Sequence, residues 1–310
     1  MTNGLHVILS GEPPMPPADA DFAFTIKFEK GSGSPRRVFD AASLLIDGFE
    51  ELDEAVAGIV DSKIKTLMVL EDVEAGSIKV WLKNVLNRID DGAIKDLEWK
   101  KAVGSALVRA KYLVLKFLDE EEGSAGKAID MLREEIRTIA SETDVRHLPD
   151  YAPIHEGRLV ASMERIQDAK RTLGPHDSLT IESDETTYEV DLSKTWEPGE
   201  VVPVPVENLT QTANEGEIIL AIRKPDLLGS SMWQFSHGKA SISAPIRDEK
   251  WLADFHDRKI PLYSGDALRC WVRFTYSYDD KGALIDSKIE VLTVKEVIKG
   301  SGGTQLGFPL

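Results

Sequence analysis

The chain has 310 residues, 37 basic and 53 acidic, for a net charge of −16 at pH 7. That length predicts two domains and a sizeable core. No apolar run reaches the roughly 18–20 residues of a membrane-spanning helix. Cys270 is the single cysteine, which forbids an intrachain disulfide and fits a reducing compartment. Met1 to Leu9 shows no basic stretch followed by a long apolar one, so a soluble, cytoplasmic protein without membrane contact is expected. The charge is unevenly spread. Residues 217–310 hold 13 basic and 12 acidic side chains, a net of +1, which leaves −17 for residues 1–216. The C-terminal segment also carries 10 of the 22 aromatics. The acidic part should repel nucleic acid and anionic surfaces, and the aromatic-rich part need not.

In chain order, residues 5–9 and 22–28 read as strands. The second alternates, with Phe22, Phe24, Ile26 and Phe28 on one face. Ser34 is a fitting N-cap with Pro35 at the first helical position, opening an amphipathic helix to about residue 60. Residues 64–70 form a short buried strand, and Gly76-Ser77 opens a helix over roughly 77–89. The segment 100–119 is the most apolar helix. Val103, Leu107, Ala110, Val114 and Phe117 make its stripe, which Leu113, Leu115 and Leu118 widen toward the core or a homodimer contact. Helices at about 126–141 and 155–173 follow, then a β-hairpin over 178–192 and a Pro-rich linker over 196–217.

The C-terminal part is rich in strands, at 217–223, 232–237, 239–244, 267–278 and 284–298. A short helix over 248–257, with Asp248 as N-cap, separates the third from the fourth. The order β-β-β-α-β-β is that of the five-stranded OB barrel; other small barrels, and a hairpin contributing two further strands, fit the same pattern. The predicted fold class is therefore α+β: an acidic α+β domain (1–175), a hairpin and linker (176–216), an OB-like barrel (217–299) and a tail (300–310).

No strong catalytic motif appears. The stretch ending Gly126-Lys127-Ala128 lacks the early glycine and the final Ser or Thr of a phosphate-binding loop. The six histidines never fall at i, i+4, and a lone cysteine builds no zinc–thiolate site. Cys270 alternates with Val272 and Phe274, as a buried structural cysteine would. Glu71, Asp72 and Glu74 follow a strand and precede the expected helix. There they either bind a divalent cation, as in a metal-dependent hydrolase, or complement the helix N-terminus. The triplets Glu98-Trp99-Lys100 and Asp286-Ser287-Lys288 have a spacing that nucleases use and that is common by chance. No cofactor or metal is expected.

Two stretches suggest binding. Gly33, Ser34, Arg36 and Arg37 lead into a helix and offer amides and guanidinium groups to an anion, or make a solvated loop. On the strand over 267–278, period two puts Arg269, Trp271, Arg273 and Thr275 on one face and Cys270, Val272, Phe274 and Tyr276 on the other. The first set is either an outward platform for a single-stranded nucleic acid or a protein partner, or a surface covered by the helix over 248–257. Trp233, Phe235 and His237 either extend the platform or fill the core.

The stretches Val69–Ser77, Ala221–Trp233 and Ser264–Leu268 resemble uncharacterised bacterial proteins encoded sporadically, often near mobile or anti-phage loci. That resemblance implies an accessory role in defence and supplies no catalytic residue. A non-enzymatic binding protein is the expected function, with a metal-dependent hydrolase at Glu71–Glu74 as the alternative.

Overall fold

A computed structural model describes residues 22–29, 34, 36–74, 78–88, 98–120, 125–183, 186–197, 210–226 and 232–300. The strand expected over 5–9, the early part of the Pro-rich linker and the tail beyond residue 300 lie outside them. Among the described residues the protein is a mixed α+β fold with two antiparallel five-stranded sheets and five helices.

The first sheet is organised around its earliest strand. β1 (Phe22–Lys27) lies between β3 (Ile78–Arg88) and β4 (Ser178–Ser183), and the order is β2-β3-β1-β4-β5. Phe24 faces Val80 on one side and Ile181 on the other. The edge strands are β2 (Ile64–Glu74) and β5 (Thr187–Val190). The hairpin over 178–192 therefore extends the first sheet. The apolar face of β1 is covered by α1 (Arg36–Val60), where Phe22 meets Phe49 edge-on at 5.6 Å. α2 (Glu98–Asp119), α3 (Ala125–Glu142) and α4 (Glu156–Thr172) complete that layer. On α2, Leu115 and Leu118 are buried within the chain, and Leu113 is half-buried against the core. Two ion pairs cross the layer, Lys111 with Asp53 and Lys170 with Asp119 at 2.6 Å. Asp119 also accepts from the Tyr188 hydroxyl at 2.7 Å and the Asp191 amide at 2.9 Å, so this carboxylate is held by neighbouring elements on several sides.

One expected helix is a strand. The helix expected over 77–89, opened by Gly76-Ser77, is β3 instead. Val80, Leu82, Asn84 and Leu86 are its alternating buried set, and β3 pairs with β2 from Lys79 to Arg88 and with β1 from Ile78 to Leu82. β2 in turn runs on through Glu74, with an irregularity between Leu70 and Asp72.

The second sheet has the order β10-β9-β6-β7-β8. β6 spans Thr210–Lys224, β7 Met232–His237 and β8 Ala240–Pro245. β9 (Ala267–Tyr278) and β10 (Leu284–Ile298) fall where the sequence placed them. β6 begins before residue 217, so Thr210 to Gly216 are strand where a linker was expected. Between β8 and β9 lies α5 (Glu249–His256). Its N-cap is Asp248, whose carboxylate accepts from the Trp251 amide at 3.0 Å and from the Val294 amide of β10 at 3.1 Å. Trp251 and Phe255 of α5 lie 5.8 and 5.2 Å from the ring of Trp233. Trp233 and Phe235 are thus core and not platform. Among the described residues no closed barrel is detected. The edge strands β8 and β10 touch at a single parallel bridge, Ile246 with Val291, beside an Arg247 N–H to Val291 C=O bond of 2.7 Å.

The two halves meet at Asp150. Its carboxylate accepts from the Arg137 guanidinium of α3 and from the Tyr276 hydroxyl of β9, the latter at 2.6 Å. Burial, with the Asp150 charge beside it, pushes the Tyr276 phenol far above its ordinary range. Tyr278 donates to the Pro153 carbonyl at 2.6 Å, and its ring packs on His155 at 5.6 Å. Gly282 (φ 73°) presses on the same imidazole, where a Cβ would come within 2.5 Å of Nδ1.

Tyr276→Phe leaves an Asp150 oxygen short of a donor and should lower stability by about 1–3 kcal/mol in urea unfolding. A second expectation concerns pH. Burial, helped by Arg133 and Arg158 and opposed by Glu156 and Asp279, holds His155 below its ordinary value. The folded ring stays neutral while the unfolded chain takes up a proton below about pH 6.5, so stability falls as pH drops through that value. His155→Gln should flatten the stability profile between about pH 6.5 and 5.

Candidate functional site

Alternation on β9 places Arg269, Trp271, Arg273 and Thr275 outward and half-buried, while Cys270, Val272, Phe274 and Tyr276 are buried. α5 does not cover Trp271. It packs on the other side of the sheet, against Trp233. The outward set is instead knitted to β6 and β10. Arg269 pairs with Glu217 at 3.0 Å and Glu296 at 3.1 Å. Glu215 accepts from Arg273 at 2.7 Å and from the Trp271 indole N–H at 3.0 Å. Lys295 pairs with Glu217 at 2.8 Å and lies 4.8 Å from the Trp271 ring centre. Three cations thus face three carboxylates. Hydrogen bonds from Trp271 and Arg273 hold the Glu215 carboxyl below its ordinary range, and those from Lys295 and Arg269 do the same for Glu217. A phosphate arriving here competes with charges already in place.

The expected anion loop is also internally committed. Ser34 Oγ accepts from the Arg36 amide at 3.3 Å, as an N-cap does. Arg36 pairs with Asp40 at 3.2 Å, and Arg37 grips both oxygens of Asp177 at 3.0 and 3.1 Å. Burial raises the Asp177 carboxyl, but Arg37 and the amides of Gly174 and Glu29 outweigh it and hold the group below its ordinary value. Gly33 lies outside the described residues. Burial pushes the Cys270 thiol up to about 12, which leaves it protonated at neutral pH.

Glu71, Asp72 and Glu74 belong to the β2 ladder, where Asp72 faces Trp81 and Glu74 faces Lys79 in register. The strand-to-helix turn that would have gathered them is not there. Among the described residues no cluster of three or more His, Cys, Asp or Glu is placed to hold a metal. Trp99 is buried at the start of α2, and Lys288 pairs with Asp286 at 3.2 Å on exposed β10.

What sequence reasoning did not reveal is a groove of about 1060 Å³ beside the single bridge between β8 and β10. Its walls are β8 with the turn before it, β10 from Ser287 to Glu290, and the loop Val145–Leu148 of the other half. Arg146, Lys239, Arg247 and Lys288 line it against two carboxylates, Asp61 and Glu290. Its apolar lining is aliphatic, with Met232, Ile242, Ile289 and Leu148 prominent and no Phe, Tyr or Trp among the described residues. The loop reaches across through two left-handed residues, Asp144 and His147, both at φ 49°. Arg146 then bonds Ser287 Oγ at 3.2 Å. Arg247 pairs with Glu290 at 2.7 Å, and Lys239 stands on the hairpin turn with no carboxylate partner among the described residues. The lining residues carry an excess of two positive charges on a chain of net −16, and one of these, on Lys288, is paired with Asp286 at the rim.

No family model matches the chain, and no curated protein or solved structure matches it. No helix among the described residues is long and apolar enough to cross a membrane.

The ion lattice on β9 makes a direct prediction. Glu215→Gln with Glu217→Gln turns a balanced face into one of net +2, and the variant should elute from heparin at higher salt than the wild type. Unchanged elution would mean that these carboxylates do not mask the guanidinium groups.

Proposed function

We propose that this is a non-enzymatic binding protein whose second sheet is an OB-like barrel, and that the groove between β8 and β10 takes up an extended anionic chain. The barrel reading is supported by strand order and direction. β6 pairs with β7 and β9, β9 with β10, a helix follows the third strand, and the third and fifth strands run parallel where they touch. The observation that carries the binding reading is the cationic lining of the groove in an otherwise acidic protein. Long-range repulsion from the acidic part is overcome only where cations concentrate, and they concentrate there. The groove favours an elongated ligand because two strand edges bound it lengthwise.

The outward face of β9, with Arg269, Trp271 and Arg273, is the lesser candidate, because its charges are already matched, whereas Lys239 and Arg146 in the groove make no ion pair among the described residues. The hydrolase alternative at Glu71, Asp72 and Glu74 has lost its expected setting, since a β2–β3 ladder, irregular between Leu70 and Asp72, stands where a strand followed by a helix was anticipated.

Fluorescence anisotropy on the full chain tests the proposal, with labelled polyglutamate and labelled oligo-dT as probes. Lys239→Glu with Lys288→Glu reverses two exposed charges that support no buried contact. The wild type should bind at least one probe below about 100 μM, more weakly as salt rises, and the double variant should bind it at least tenfold more weakly. Equal binding by both proteins, or no binding by the wild type, would contradict the groove as the site.

A further inference from the structure

The groove is bounded by the backbone edges of two strands, and their register fixes which groups point into it. β7 and β8 are joined by a two-residue turn, Gly238-Lys239, with Gly238 at φ 54°. In such a hairpin the residues flanking the turn, His237 and Ala240, exchange hydrogen bonds with each other, and pairing then alternates along the ladder. The β7–β8 register runs without a shift from Ala240 to Pro245. The even-numbered residues of β8 therefore bond to β7, and Ser241 and Ser243 aim their N–H and C=O groups away from it. The far end of the strand agrees: the Arg247 N–H, two further steps of two along, does reach across to the Val291 carbonyl of β10. Apart from that bridge, which lies just past β8, no strand among the described residues pairs with the outer edge of β8 from Ala240 to Pro245. An unpaired edge of this kind is a template for an added strand.

We infer that the occupant of the groove is an acidic polypeptide segment in extended conformation, which pairs with the β8 edge through Ser241 and Ser243. The inference rests on the anionic-ligand reading above and names its class. Three features select a peptide over a nucleic acid. The edge offers backbone donors and acceptors at strand spacing, which a peptide matches and a sugar–phosphate chain does not. The aliphatic groups open to the groove, exposed Met232 and half-buried Ile289, suit apolar side chains, whereas binding of single strands draws on aromatic rings, of which none lines the groove among the described residues. Lys239 and Lys288 stand on the exposed rim, where alternate carboxylates of a bound strand would emerge. A six-residue segment alongside Ala240–Pro245 spans about 20 Å.

The test uses the full chain and a labelled ten-residue peptide alternating glutamate and valine, with a labelled 15-nucleotide oligo-dT as the competing class. Ser243→Pro removes the one outward N–H at its position. It spares the β7–β8 ladder, because an edge strand tolerates proline where the N–H faces away from its partner. Ser243→Ala removes only the hydroxyl. The peptide should bind the wild type and Ser243→Ala alike and bind Ser243→Pro at least tenfold more weakly, with the thermal transition of the proline variant close to that of the wild type. Should Ser243→Pro not fold, the same peptide N-methylated at its four central residues replaces it, since neither of its edges can then pair; a tenfold loss against wild type is again expected. Equal binding of the methylated and unmethylated peptides, or of the peptide by wild type and a folded Ser243→Pro, overturns strand pairing. Binding of oligo-dT with none of the peptide, lost on reversing Lys239 and Lys288, overturns the peptide class while leaving the anionic groove intact. Binding of either probe that charge reversal leaves unchanged overturns the groove reading itself.

Discussion

Asp150 is the fixed point of the molecule. One carboxylate holds the Arg137 guanidinium from the helical layer and the Tyr276 hydroxyl from the second sheet, at a place where both are largely shielded from water. A charged acceptor with two donors in low-dielectric surroundings is a strong and directional joint. The consequence reaches the groove, because residues 143–150 form the loop that carries Arg146. With its far end pinned at Asp150 and its near end continuous with α3, this loop lays Arg146 against Ser287 and brings His147 and Leu148 to the groove wall. Neither half alone contains the site. Loss of the joint would separate Arg146 from Lys239, Arg247 and Lys288 without touching any of the four.

The electrostatics of the two sheet surfaces explain why charge counts along the sequence mislead. On the β9 face charge is matched locally, with Arg269, Arg273 and Lys295 set against Glu215, Glu217 and Glu296. Glu215 lies outside residues 217–310 and belongs to the part counted as acidic. Exposed pairs of this kind add little stability. Their effect is to cancel a field that three cations on one face would otherwise project. At the groove the balance is different, since Lys239 is unmatched among the described residues and Arg146 is matched to a neutral hydroxyl.

Much of the secondary structure was legible because it obeys local rules. β9 follows period two as far as Tyr276, α1 repeats its apolar residues at three and four, and Ser34 and Asp248 cap the helices they were expected to cap. β3 was misread as a helix opened by Gly76-Ser77, and only its pairing with β1 and β2 decides for a strand. The first half of β6 was read as linker because Thr210 to Gly216 are polar on both faces. They form a strand through backbone pairing with β9, which leaves no hydrophobic trace in the sequence. The groove was illegible for a third reason. Its lining comes from a loop of one half and two non-adjacent strands of the other, and nothing local to Arg146, Lys239 or Lys288 signals that they meet.

Amide hydrogen exchange on the full chain, with and without saturating polyglutamate, tests the central claim that the groove assembled by both halves is the ligand site. Protection should appear together in residues 239–247, 285–291 and 145–148, with residues 269–273 unchanged. Protection confined to 269–273, or protection of the β8 and β10 segments without the loop that Asp150 anchors, would contradict it.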